Sequence, residues 1–191
     1  MKQSGDRRGW AWSGVLLAMG LAGVFGLWAP AVAAWAQEDP KPSAEASVEG
    51  AVELRGAMPD ARRLSFAELQ HLPRTEVRTK DAHDGARETL YGGVLLAEVL
   101  KAGGLSFEPG MATARENARA SLLVEAADGY RAVFALAELD PTLTSGLVLL
   151  ADTRDGRPLD SVEGPWRIVV ASDKRPTRWV RRVTALTVRR D

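Results

Sequence analysis

Apolar residues occur in short alternating or clustered segments from position 48 onward, and turn-forming residues separate these segments. The alternation from Val48 to Leu54 predicts a first strand. Ser65 and Glu68 have the spacing of a capping box, in which each residue bonds to the backbone of the other. This box predicts a helix start, and Pro73 predicts that the helix is short.

The middle of the chain predicts a hairpin followed by a helix. Residues 75–80 and 87–91 have strand character around the turn at 81–85. We expect the next helix to follow Gly92 and Gly93 and to end at Gly103-Gly104. Its apolar face is predicted at Val94, Leu95, Leu96, Val99 and Leu100.

The C-terminal half is predicted to be rich in strands. Asp128-Gly129 lies between apolar segments 122–126 and 130–135, which is typical of a hairpin. The other predicted elements are a helical middle of 105–119, a helical turn at 136–139, strands at 147–151, 166–171 and 183–188, and a turn at 155–158. The pattern as a whole predicts an α+β fold, a compact mixed β-sheet domain with short helices.

The N-terminus has a different pattern. Lys2, Arg7 and Arg8 precede a stretch from Gly9 to Ala36 that has no charged residue, and Ala34-Trp35-Ala36 has the small-x-small pattern that signal peptidase cleaves. We therefore expect residues 1–36 to be a signal peptide that contacts the membrane only transiently, and the mature protein to be periplasmic or otherwise exported. A retained membrane anchor is the alternative, because the stretch is long enough to span a bilayer.

The export route stays open at this point. Arg7-Arg8 followed by Trp10 is compatible with a twin-arginine signal and equally with an ordinary basic N-terminal region. Residues 37–47 are polar, contain two prolines and predict a flexible leader. The remaining residues, 48–191, are long enough for one domain with its own core.

Charge and cysteine content exclude some classes of function. Without residues 1–36, which hold Lys2, Arg7, Arg8 and Asp6, the chain has 22 basic and 24 acidic residues. This near-neutral balance argues against nonspecific nucleic-acid binding, which requires many phosphate contacts. The chain has no cysteine, so disulfides, thiolate catalysis and thiolate metal ligation are excluded.

Several segments resemble the molybdopterin-binding domain of sulfite-oxidase-like oxidoreductases, in the order found in that family. They are SFAELQHLP, YGGVLLAEVLKAGG, ADGYRAVFALAELDP and the run from LVLLADTRDGRP to WVRRVTALTV. The resemblance covers roughly residues 48–188. It implies the mixed α+β fold of that family, with a pterin cofactor in a buried groove.

The chain departs from the family at its metal ligand. In the family, a cysteine between the first helix and the YGGVLLAEVL-like segment ligates molybdenum, whereas this chain has only TEVRTKDAHDGARETL there. Molybdopterin is the cofactor that the resemblance implies, but molybdenum prefers the soft thiolate donor that is absent. We interpret the chain as a shortened relative.

The densest basic segment contains Lys174, Arg175 and Arg178, beside Trp179. The resemblance implies that it contacts the phosphate side of a pterin, and arginine forks bind phosphate well. If residues 178–182 form a strand, the arginines divide between its two faces. The alternative is a solvated edge strand whose charges prevent aggregation.

Other candidate residues have simpler alternatives. Tyr130 is a candidate hydrogen-bond donor to a bound oxyanion, although a strand aromatic is the more common role. His83, with Asp81 and Asp84, is a candidate metal ligand, but turn formation explains these aspartates equally well. His71 stands alone, and no catalytic residue or metal site is predicted.

Three functions remain open from the sequence. The first is a noncatalytic module that binds a small anionic ligand, such as a pterin or phosphate, or acts as an accessory protein. The second is a periplasmic molybdenum oxidoreductase with another metal ligand, or one supplied by an envelope redox partner. The third is a structural envelope protein. Fold alone does not decide among them.

Overall fold

The computed structural model describes residues 50–80 and 87–190. These residues form ten strands, three short α-helices and two 3-10 turns. The strands are β1 (Val52–Gly56), β2 (Arg63–Leu64), β3 (Arg74–Lys80), β4 (Glu88–Leu95), β5 (Ala120–Ala126), β6 (Arg131–Ala135), β7 (Val148–Arg154), β8 (Arg157–Pro158), β9 (Arg167–Val170) and β10 (Val183–Arg190). The helices are α1 (Phe66–Gln70), α2 (Leu96–Ala102) and α3 (Met111–Asn117), and the 3-10 turns are Leu136–Glu138 and Pro176–Arg178.

The strands form one mixed sheet and one antiparallel sheet. The first has the order β2-β1-β10-β5-β6, in which β1 and β10 are parallel and the other neighbours are antiparallel. The second has the order β3-β4-β7-β8, and β9 also pairs with β7. A mixed sheet, an antiparallel sheet and a few short helices fit the predicted α+β class.

One apolar core joins the two sheets and α2. Its buried members include Leu54, Phe134 and Leu186 of the first sheet, Leu149 of the second, and Leu100 of α2. Burying a side chain of this size contributes about 1.5–3 kcal/mol relative to leaving it in water. Because the chain has no disulfide, we attribute most of its stability to this core.

Local signals predicted several elements correctly. Ser65 caps α1, and Glu68 completes the box by accepting from the Ser65 N–H at 2.8 Å. β5 and β6 form the hairpin predicted around Asp128-Gly129. Gly104 has a φ of +83° just beyond α2, as expected of a residue that ends a helix.

One predicted element is wrong, and one conditional interpretation does not apply. Residues 92–95 belong to β4, so α2 begins only at Leu96. A Cβ at Gly93 would lie 2.2 Å from the Leu150 carbonyl oxygen, so this glycine serves close strand pairing rather than a helix start. The division of the arginines between two strand faces, which was conditional on a strand at 178–182, does not apply, because Pro176–Arg178 forms a 3-10 turn and β10 begins at Val183.

Some predictions lie outside the described residues. These are the signal peptide, the leader, the start of the first strand at Val48 and the turn that contains His83. Within residues 50–80 and 87–190, no helix is long and apolar enough to cross a membrane.

Candidate functional site

The segment between β9 and β10 and the tip of the β5–β6 hairpin enclose a cavity of about 260 Å³. The turn at Pro176–Arg178 forms one wall, and the hairpin forms the other. We call this the Arg167 cavity, after the residue at its floor. It is lined by Asp128, Tyr130, Arg167, Pro176, Thr177, Trp179 and Arg181.

Tyr130 links the hairpin to the turn. The Asp128 carboxylate accepts from the Tyr130 N–H at 3.0 Å, which fixes the hairpin tip. The Tyr130 hydroxyl donates to the Thr177 carbonyl oxygen at 2.6 Å. Tyr130 is 50 % exposed, so part of the residue remains accessible where it lines the cavity.

Arg167 lies at the floor and is only 1 % exposed. Its guanidinium is within about 5 Å of two aromatic ring centres, 5.3 Å from Tyr91 and 5.2 Å from Trp179. Its Nη1 donates to Glu163 Oε1 at 2.6 Å and to the Tyr91 hydroxyl at 3.3 Å. Cation–π contacts and a short ion pair therefore compensate this buried charge.

Glu163 and Tyr91 connect the floor to a second arginine. Arg154 Nη1 lies 3.6 Å from the other carboxylate oxygen of Glu163, and its guanidinium is 5.9 Å from the Tyr91 ring centre. The Tyr91 and Trp179 rings meet edge to face at 5.9 Å. The aromatic and charged groups below the cavity thus form one packed network.

Trp179 forms part of the cavity wall and is 5 % exposed. Its buried Nε1 has no hydrogen-bond partner among the described residues. A buried indole N–H usually has a partner. Trp179 and Tyr130, both predicted as ligand-binding residues, thus line the same cavity.

Arg178 is compensated by two carboxylates. It donates from Nε and Nη2 to Asp173 at 3.0 and 2.8 Å, and from Nη1 to Glu138 Oε2 at 2.9 Å. Its guanidinium also lies 4.8 Å from the ring centre of Phe134. The hydrogen bonds to Asp173, followed by those to Glu138, raise the pKa of Arg178 above its ordinary value although burial opposes them.

Lys174 and Arg175 are exposed at the start of the same segment. Lys174 lines a different, shallower cavity of about 490 Å³ that also includes Arg78, Lys80 and Glu88. The five predicted ligand residues are therefore not brought together. Of these five residues, Tyr130 and Trp179 are the two that line the Arg167 cavity.

Arg181 stands at the rim of the Arg167 cavity and is exposed. Among residues 50–80 and 87–190, no carboxylate forms an ion pair with it. The following residue, Arg182, has a φ of +50°. Its N–H donates to the Glu163 carbonyl oxygen at 3.0 Å and its own carbonyl oxygen accepts from Ala127 at 2.9 Å, so these bonds hold the chain where it leaves the rim.

No protein-family model matches the chain, and no curated protein matches it. Among solved structures, the sulfane dehydrogenase SoxCD from Paracoccus pantotrophus is similar, with a TM-score of 0.56 and 18 % identity. The similarity covers 73 % of this chain and 38 % of the matched chain. It shows the fold. The chain thus shares the fold of part of that neighbour and spans well under half of its length.

The donor set does not fit a thiolate-held molybdenum centre, which is the metal site that the sequence resemblance implies. The 191 residues include no cysteine, and no three histidine or acidic side chains among the described residues are grouped to hold a metal ion. His71 is used locally, since its Nδ1 lies 2.6 Å from the Ala67 carbonyl oxygen. The cavity is also smaller than the roughly 300–1,000 Å³ typical of drug-sized ligands.

The sequence analysis missed Arg167 and Arg181, which line this cavity, and Glu163, which pairs with Arg167. Arg167 carries a usable signal, because it is the one charged residue in the otherwise apolar run Trp166–Val170. Arginine is almost never fully buried unless it is paired. Its partner Glu163 has no such signal, since a glutamate between two turns looks like an ordinary surface residue.

Proposed function

We propose that this chain is an exported, noncatalytic relative of molybdopterin-dependent oxidoreductases that binds a small anionic ligand in the Arg167 cavity. The observation that carries the proposal is the concave site itself, where an exposed arginine stands over aromatic walls and a buried arginine. Small-molecule sites are usually concave and mostly apolar, with a few polar groups that orient the ligand.

Arg181 is the group best placed to attract an anion. It is exposed, lines the cavity and has no carboxylate partner among the described residues. The Arg178 side chain, in contrast, is occupied by Asp173 and Glu138. Binding through Lys174 and Arg175 would use a separate surface, so we assign the ligand to Arg181 and its neighbours.

The absence of cysteine supports a noncatalytic function. The resemblance to sulfite-oxidase-like proteins implies a thiolate ligand to molybdenum, and this chain has no residue with that chemistry. Export is supported by the N-terminal pattern of basic residues, an uncharged apolar stretch and Ala34-Trp35-Ala36. An accessory role beside an envelope redox partner is compatible with both features.

The test is to purify the protein from the periplasm of its own host and to measure metal, pterin and ligand binding. We expect no stoichiometric molybdenum. We also expect pterin-6-carboxylate or inorganic phosphate to raise the melting temperature, because a ligand selective for the native state stabilises it. If no anion changes the melting temperature, the proposal is wrong.

A second candidate is an active oxidoreductase whose metal ligand comes from a partner protein. The structural similarity to SoxCD, a protein named as a sulfane dehydrogenase, favours it. Stoichiometric molybdenum in the purified protein, together with turnover of sulfite or thiosulfate, would support this candidate against the first.

A further inference from the structure

We infer that the ligand of the Arg167 cavity is a flat ring with one anionic substituent, that its charge is held at the rim by Arg181, and that Glu163 compensates the charge of Arg167 at the floor. This inference rests on the proposed function and names the class of ligand for the same site. It follows from which charges in the cavity are already compensated.

The floor is not available to an incoming anion. Glu163 and Arg167 form a 2.6 Å ion pair, and their side chains are only 12 % and 1 % exposed. A ligand anion at Arg167 would compete with this nearly buried carboxylate for the same positive charge and would place two negative charges close together, which is unfavourable. Glu163 therefore excludes negative charge from the deepest part of the site.

The walls favour a flat, uncharged body. The Tyr130 ring, the Trp179 ring and Pro176 line the space between floor and rim. Aromatic side chains stack well on planar groups. The volume of about 260 Å³ limits the ligand to one or two rings.

The rim favours a single negative charge. Arg181 can bind one carboxylate or phosphate through its planar fork. Asp128 lines the same cavity, so a second negative charge on the ligand would be repelled. An aromatic monocarboxylate fits this arrangement of groups better than a bare oxyanion does.

Calorimetric titration with three probes separates ring from charge. The probes are 2-naphthoate, its uncharged analogue 2-naphthamide, and inorganic phosphate. We expect 2-naphthoate to bind the full mature chain at least tenfold more tightly than either of the others, because only it satisfies both wall and rim. Arg181→Ala should reduce its affinity about tenfold or more, and Arg181→Lys should retain part of it.

Glu163 is tested by Glu163→Gln. Since the floor charge would no longer be compensated, phosphate affinity should rise at least tenfold in this variant. Should Glu163→Gln not fold, the exposed Arg181 variants still test the rim. Arg157→Ala is the control, because Arg157 is exposed on β8 and outside the cavity lining; it should change every affinity less than twofold.

The outcomes are distinguishable. Phosphate binding as tight as 2-naphthoate binding, or undiminished 2-naphthoate binding in Arg181→Ala, would overturn this inference but leave anion binding intact. Absence of binding by pterin-6-carboxylate, 2-naphthoate and phosphate alike would overturn the proposed function and this inference with it.

Discussion

The two sides of the turn at Pro176–Arg178 use arginine in opposite ways. On one side, Arg178 is bonded to Asp173 and Glu138 and covers the Phe134 ring. On the other side, Arg181 is exposed at the rim of a cavity, and no carboxylate of the described residues pairs with it. The comparison shows that neighbouring basic residues do not necessarily form one binding site. Ion pairs within the protein determine which of their charges remain available to a ligand.

Arg167 differs from both of these arginines because it is buried and paired. Its substitution should have the largest effect on the free energy of unfolding. Arg167→Ala should lower the free energy of unfolding by about 3 kcal/mol, because it leaves the nearly buried Glu163 carboxylate with only the more distant Arg154. Urea denaturation measures this loss. The double variant Arg167→Met with Glu163→Gln should lose less stability than Arg167→Ala, because neither charge of the pair is left unpaired. If Arg167→Ala lowers the free energy of unfolding by less than about 1 kcal/mol, the Arg167–Glu163 pair is not important for stability.

Arg178→Ala should have an intermediate effect. The side chain is 30 % exposed and has two carboxylate partners, so its loss should cost about 1 kcal/mol. Affinity for 2-naphthoate should stay within twofold of the unmodified protein. If Arg178→Ala strongly reduces the affinity for 2-naphthoate and leaves stability unchanged, then Arg178, like Arg181 in this account, binds the ligand.

Glu68 of the capping box, like Arg178, has a pKa that its hydrogen bonds shift. Hydrogen bonds from the Ser65 backbone and side chain, and then from Arg62, lower the pKa of Glu68 from 4.5 to about 2. A lowered pKa stabilises the fold above the unfolded value, and this stabilisation is lost as the pH falls from about 4.5 towards 2. Glu68→Gln should therefore lower the free energy of unfolding by about 0.5 kcal/mol at neutral pH and by less at pH ~3. Urea denaturation at the two pH values measures this difference. A loss of stability that is the same at both pH values would contradict this account.

Arg181→Ala should have the smallest effect on stability. Substitutions at exposed positions without partners usually change the free energy of unfolding by less than about 0.5 kcal/mol. The same variant should show the largest loss of ligand affinity. Thermal denaturation with and without 2-naphthoate measures both quantities, and a marked destabilisation without ligand would indicate a structural role for Arg181.

The fold was predictable where local residues determine local geometry. Ser65 and Glu68 form their box within one turn, and Asp128-Gly129 forms a hairpin tip without help from distant residues. Gly93 was misinterpreted because its role depends on the Leu150 carbonyl oxygen on another strand. Periodicity alone cannot separate a buried strand from a helix in such a short apolar run.

The site was less predictable than the fold because its charges are paired across the chain. Glu138 reaches Arg178 from a turn forty residues earlier, and Tyr91 reaches Arg167 across 76 positions. The sequence shows how many arginines lie near Trp179, but not which of them have partners. Residues 176–178 form a 3-10 turn and Arg182 has a left-handed backbone, so the arginines of this segment do not alternate between two faces of a strand.

The central claim is that Arg181, and not Arg178, meets the ligand. Nitrogen-15 NMR of the arginine side chains during a titration with 2-naphthoate tests it most directly. We predict that the Nε–H signal of Arg181 shifts progressively to saturation while that of Arg178 stays in place. A saturable shift of Arg178 with Arg181 unmoved would contradict the account.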